Sequence, residues 1–189
     1  SYRPLRQVGI KAGVHRPATT RSTTLPSVYQ SMIERPLTVR AMTPNDQLGL
    51  VAEGHFAGRL FGYHVGVFNG LRRGDSFFAG YKDRGGALGN RFDGLAYVTR
   101  ITSEPVGPLS HTVADEEKGA LAIGFGGTYT LNRGGAATTH IAGGDVHLQV
   151  RGFHALAEVM WSLSLPDTVP TIPSTEVDDV SSLGISVDA

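Results

Sequence analysis

The sequence has no cysteine, so disulfide staples and thiolate chemistry are both excluded. It also lacks an unbroken apolar run of about 18 residues, the minimum for a transmembrane helix. Strands can cross a membrane without such a run, because their backbone groups pair between neighbours. Charge is sparse and balanced: charged residues make up 18%, with 17 Lys and Arg against 17 Asp and Glu. A nucleic-acid-binding domain is ordinarily net basic with interleaved aromatics, so no nucleic-acid partner is expected. Disorder is disfavoured too, since hydrophobic residues reach 40%. Catalytic signatures are missing. No Gly-x-Ser-x-Gly elbow and no His-Glu-x-x-His pair occurs, and Gly124-Phe125-Gly126-Gly127 does not open a helix. Neither enzymatic activity nor a cofactor is expected.

What is abundant is glycine. With 25 Gly and 10 Pro in 189 residues, the chain is rich in turns and unlike a helical bundle. That length suits one domain across the whole chain. The even total charge hides a polarity: up to Ser103 there are 14 Lys and Arg against 6 Asp and Glu, and from Glu104 onward 3 against 11. The opening Ser1–Ile10 stretch has no apolar core of a signal peptide. The closing Ser181–Ala189 stretch stops within an alternating pattern. Both suggest either an interior segment of a mature protein or a chain trimmed at its ends.

Several stretches alternate apolar and polar residues with period two. Leu50, Ala52, Gly54 and Phe56 share one face; Val51, Glu53 and His55 share the other. After Gly58-Arg59, a Gly-X pair suited to a type II′ turn, Phe61, Tyr63, Val65 and Val67 continue the apolar face. This register sets Phe56 against Phe61, Gly54 against Tyr63, Leu50 against Val67, and Glu53 against His64. A second Gly-X pair, Gly152-Phe153, predicts Val150 against Ala155, Leu148 against Ala157 and Val146 against Val159. Its polar side sets His147 against Glu158 and Arg151 against His154. Further strands are predicted over Gln7–Gly13, Arg91–Ile101, Ala120–Tyr129 and Ser182–Asp188. The total is about eight. Long connections are expected over 15–47, 70–90, 131–144 and 164–181, with a medium one over 102–119. A capping box at Ser27-Val28-Tyr29-Gln30 and a stop at Pro36 predict one short helix over Val28–Arg35, inside the first long loop.

Three features favour an all-β, antiparallel up-and-down transmembrane β-barrel over a soluble sandwich. The strands are about ten residues long, close to the ~9–11 that a tilted strand needs to cross a bilayer. The non-apolar face carries glycines, charges and histidines, as a wet lumen would. Long and short connections alternate, as in outer-membrane barrels. Trp161, Tyr63, Tyr97 and Tyr129 fall on the apolar face, where interfacial aromatics would sit.

A family resemblance points the same way. Met32-Ile33-Glu34-Arg35, Thr43-Pro44-Asn45-Asp46-Gln47-Leu48-Gly49-Leu50 and Tyr63-His64-Val65-Gly66-Val67-Phe68-Asn69-Gly70 resemble the phosphate-selective porin O and P family. So do Tyr97-Val98-Thr99-Arg100, Leu121-Ala122-Ile123-Gly124-Phe125, and Arg151-Gly152-Phe153 leading to Ala157-Glu158. The segments run in order from about Val8 to Trp161. The resemblance implies a trimeric channel in a Gram-negative-type outer membrane, with a wall of about sixteen strands of which this chain is half. It departs from the family in ending at Ala189 rather than at an aromatic residue. The family's arginine-lined constriction does not align residue by residue, so phosphate selectivity is not carried over.

The expected function is therefore passive diffusion of small hydrophilic solutes, with a possible preference for anions or phosphate. Candidates for the anion path are Lys11 and Arg100 on the polar faces, with Arg16, Arg21, Arg35, Arg40, Arg72, Arg73 and Arg84 in the loops. Fixed cations lining a narrow pore lower the barrier for anions. The acids Asp167, Glu176, Asp178 and Asp179 of the last long loop would dilute that field. The Glu53–His64 and His147–Glu158 pairs read as cross-strand stabilisation rather than a metal site, since each offers two ligands where zinc takes four. The alternative is a soluble or surface β-sheet module that binds a ligand or partner without transport.

Overall fold

The computed structural model describes residues 2–5, 7–25, 36–43, 46–57, 60–69, 94–109, 121–133, 137–166 and 179–188. Period-two alternation yields strands throughout. They are β1 (Tyr2–Leu5), β2 (Val8–His15), β3 (Gln47–Phe56), β4 (Phe61–Asn69), β5 (Leu95–Val106), β6 (Ala122–Asn132), β7 (Ala137–Val150), β8 (Phe153–Pro166) and β9 (Val180–Asp188). All nine lie in one antiparallel sheet in chain order, so every strand pairs with its sequence neighbours. Among the described residues no ladder joins β9 to β1, and the sheet is open. The long strands from β2 to β9 are the eight anticipated from the sequence, with the short β1 added at one edge.

The first hairpin has the anticipated register: Phe56 faces Phe61, Gly54 faces Tyr63, and Leu50 faces Val67. Leu60 N donates to Ala57 O across 3.2 Å and closes the turn. The second hairpin does not follow the expectation. Val150 faces Phe153, Leu148 faces Ala155, and Val146 faces Ala157. The turn residues are Arg151 and Gly152, with φ of 50° and 90°. Positive φ at both central positions is the type I′ pattern, with glycine second rather than first. The register is therefore offset by two residues from the expected one. An even offset leaves every side chain on its predicted face, but it breaks the anticipated pairs. His147 stands opposite Leu156, Glu158 opposite Asp145, and His154 opposite Gln149.

A second correction concerns the connection expected over 131–144. Strand β6 runs on to Asn132 and β7 begins at Ala137, so only residues 133–136 connect them. The Gly143-Gly144 pair reads as a loop in sequence, yet both residues sit in the ladder, opposite Met160 and Val159. The other long connections fall near their expected places.

Among the described residues, two short helices occupy the connection after β2: α1 (Arg21–Thr24) and α2 (Leu37–Met42). The helix expected over Val28–Arg35 lies outside the described residues, as does the Gly58-Arg59 turn. A capping box starts α1, with Thr20 and Thr23 each accepting from the other's backbone N–H. Pro36 stands at the N-cap of α2.

These segments cover one face of the sheet. Met42 of α2 packs with Ile141 and Met160. Thr38 lies over Gly184, where a Cβ would come within 2.8 Å of its Cγ2. That close approach requires glycine on β9. Residues 16–25, here called the strap, lie across the middle of the same face. The other face is open, and the two differ in kind. On the open face Leu50 is 55% exposed, Val65 45%, Val159 44% and Ile185 65%. On the covered face Arg100 and Glu158 are 3% exposed, Asp145 6% and His147 1%. The covered face is also apolar in places: Val51, Phe68, Ala96 and Val98 cluster toward the long-connection end, and Leu156 is buried near the turn between β7 and β8.

Candidate functional site

The covered face carries a ladder of charged and polar residues set by register. His64 of β4 stands opposite Glu53 on one side and Arg100 of β5 on the other. Arg100 in turn faces Thr128. One residue pair further along, Asp145 and Glu158 face each other across β7 and β8. Two buried carboxylates in direct opposition repel unless each is separately satisfied.

Each is. Arg100 reaches across the face to Asp145 in a two-pronged pair, Nη1 to Oδ2 at 2.6 Å and Nη2 to Oδ1 at 2.9 Å. Parallel N–H···O bonds of this kind are the strongest geometry for the two groups. Room for them comes from Gly126, where a Cβ would collide with Arg100 Nη2 and the Asp145 carboxylate. Glu158 is satisfied by the strap: Ser22 N donates to Oε1 at 2.9 Å, and Ser22 Oγ donates to Oε2 at 2.8 Å. Arg100 Nη1 also donates to Thr19 O at 3.3 Å. The strap is thus fastened to the sheet at both charged centres. Burial pushes the Arg21 guanidinium of α1 below its ordinary value, while the nearby Glu104 carboxylate pulls it back up.

Beside this cluster the strap and the strand ends leave a pocket of about 270 Å³, lined among others by Gln7, Glu53, Tyr63, His64, Arg100 and Thr102. Lys11 Nζ pairs with Glu53 Oε1 at 2.6 Å, and His64 Nδ1 lies 3.8 Å from Glu53 Oε2.

The anion-path candidates divide. Lys11, Arg16 and Arg100 each meet an acid, namely Glu53, Asp46 (3.2 Å) and Asp145. Their charge is locally matched. Arg40 lies on α2, but its side chain is outside the described residues, and Arg35, Arg72, Arg73 and Arg84 are outside them entirely. The Glu53–His64 opposition exists; the His147–Glu158 pair does not, because the I′ turn places Asp145 there instead. Among the described residues no group of three or more metal-ligating side chains gathers.

Asp145 and Ser22 are the site residues that the sequence scan missed. Arg100 and Asp145 lie on strands that are not neighbours, so no hairpin arithmetic pairs them. The signal for the strap was the hydroxyl-rich run Thr19-Thr20-Arg21-Ser22-Thr23-Thr24, which holds its own capping box. Among the described residues no helix is long and apolar enough to cross a membrane. Compared with family models, curated proteins and solved structures, the chain matches none.

Proposed function

We propose that this sheet is part of the wall of an outer-membrane diffusion channel for small hydrophilic solutes, with its open face against lipid and its covered face toward water. The observation that carries this reading is the inversion of polarity. In a water-soluble protein, large apolar side chains fill the interior, and Arg, Asp and Glu are rarely fully buried unless paired, as Arg100 and Asp145 are here. Here Leu50, Val65, Val159, Leu183, Ile185 and Val187 are exposed while Arg100, Asp145 and Glu158 are buried. Strand lengths of 9 to 14 residues from β3 to β9 suit a bilayer crossing. The alternation of apolar-out and polar-in is that of membrane barrels, and the sequence resemblance to phosphate-selective porins agrees with it.

An open sheet cannot stand in a bilayer, where unpaired backbone groups each cost several kcal/mol. Further strands therefore complete the wall at its edges. No Pro or Lys interrupts β9 over Val180–Asp188. Anion preference, on this reading, comes from Arg72, Arg73 and Arg84 between β4 and β5, because the basic side chains on the covered face are already matched by acids.

The test is to refold the chain with lipid. Co-flotation with vesicles and stepwise conductance in planar bilayers are expected, with a reversal potential on the anion side in a salt gradient. A chain that stays monodisperse in water without detergent, and passes no current, would instead be the soluble binding module.

A further inference from the structure

The strap and α2 cover the same face of the sheet, but different forces hold them there. Met42 of α2 packs into an apolar cluster with Ile141 and Met160, and Ala41 lies against it. Neither apolar cluster of the covered face includes a residue from 16–25, although Ala18 and Leu25 are buried. What the strap buries is chiefly hydroxyl: Thr19, Thr20, Ser22 and Thr23 are at most 5% exposed. Its bonds to the sheet run to ionised groups. Ser22 N–H and Oγ–H meet the two oxygens of Glu158, and Arg100 Nη1–H meets Thr19 O. Water supplies the same donors and acceptors, so exchanging these bonds for hydration changes free energy far less than opening an apolar cluster.

Both partners keep their own structure when parted. Within the strap, Thr19 N and Thr20 N donate to Thr23 Oγ1, which donates to Thr20 O, and Thr23 N donates to Thr20 Oγ1. Thr24 N and Leu25 N donate to Thr20 O and Arg21 O. The turn is thus closed by its own residues. Beneath it, Arg100 and Asp145 hold each other without the strap, and the ladders that join β5 to β8 include no strap residue. Glu158 is the group whose partners change, and a carboxylate facing water is well solvated.

We propose that the strap is a detachable cover, which lifts from the polar face as a unit while the sheet and α2 stay in place, with the Ser22–Glu158 contact as its latch. Docked, it closes the middle of that face to solutes; lifted, it opens it. The closing of a solute path rests on the channel reading, whereas the detachment does not.

Two measurements on the full chain refolded with lipid test this. The first is amide hydrogen exchange under native conditions. The Ser22 amide should exchange at least about a hundredfold faster than ladder amides of β7 and β8, and Ser22→Ala should speed exchange across 19–25 roughly tenfold more. The second is planar-bilayer current through the double variant Ser22→Cys, Glu158→Cys. The chain has no other cysteine, so a short bifunctional methanethiosulfonate bridges strap to sheet specifically. Bridging should remove most of the current, and dithiothreitol should restore it. Strap amides as slow as the ladder, or a current indifferent to the bridge, would overturn the proposal. The first measurement uses the parent chain, so it decides the matter even where the double variant does not fold. No current in any form, with the strap still exchanging ahead of the ladder, would refute the channel reading and leave the detachment standing.

Discussion

Asp145 is the residue on which the covered face depends most. Its carboxylate is the two-pronged partner of Arg100, and both are buried. Removing one member of such a pair strands the other charge, at a cost of about 3–5 kcal/mol. Asp145→Ala should therefore lower the urea midpoint by that equivalent. The double change Arg100→Met with Asp145→Leu should recover most of the loss, because a well-packed apolar replacement of both ions is often neutral. If the single and double variants were equally unstable, the charged pair would not be what Asp145 contributes. Ser22 offers a milder probe. Ser22→Ala deletes one donor to Glu158, and a hydrogen bond to a charged group contributes about 1.5–3 kcal/mol. Most of that is strap docking, so trypsin should cut after Arg21 roughly tenfold faster or more. An unchanged cleavage rate would show that the strap is held elsewhere.

At the scale of elements, the sequence made strands and faces legible because alternation is local. Leu50, Ala52 and Phe56 announce one face of β3 whatever the rest of the chain does. Register needs more, because it depends on where the turn falls between the strands. The first hairpin paired as anticipated. In the second, a glycine can serve either as the first residue of a II′ turn or as the second of a I′ turn, and the flanking alternation fits both, since they differ by an even offset. That ambiguity cost the Asp145–Glu158 opposition, and with it the site's central feature. The run Gly143-Gly144 misled for a related reason: glycine reads as loop, yet here it belongs to a ladder. The turn itself makes a prediction. Arg151 sits at φ 50°, a left-handed conformation that costs a non-glycine residue about 1–2 kcal/mol and is easier for asparagine. Arg151→Asn should raise the thermal midpoint, while Gly152→Val, at φ 90°, should lower it. The opposite order would contradict the I′ assignment.

For the whole molecule, the long-range contacts were the part that no local pattern could reveal. The strap folds back over strands distant in sequence, from Thr19 to Arg100 and from Ser22 to Glu158, and a pocket forms beside it. The polarity of the sheet was legible, however, since it needs only the alternation that each strand carries. Because the chain has no cysteine, single cysteines can be spin-labelled without background at Leu50, Val65, Val159 and Ile185, and at Thr102 and Ser186 on the opposite face. In lipid vesicles the first set should be relaxed strongly by dissolved oxygen and hardly at all by a water-soluble paramagnet, with the second set showing the reverse. Labels at the first set that answer to the aqueous reagent, or to neither, would contradict the assignment of the apolar face to lipid.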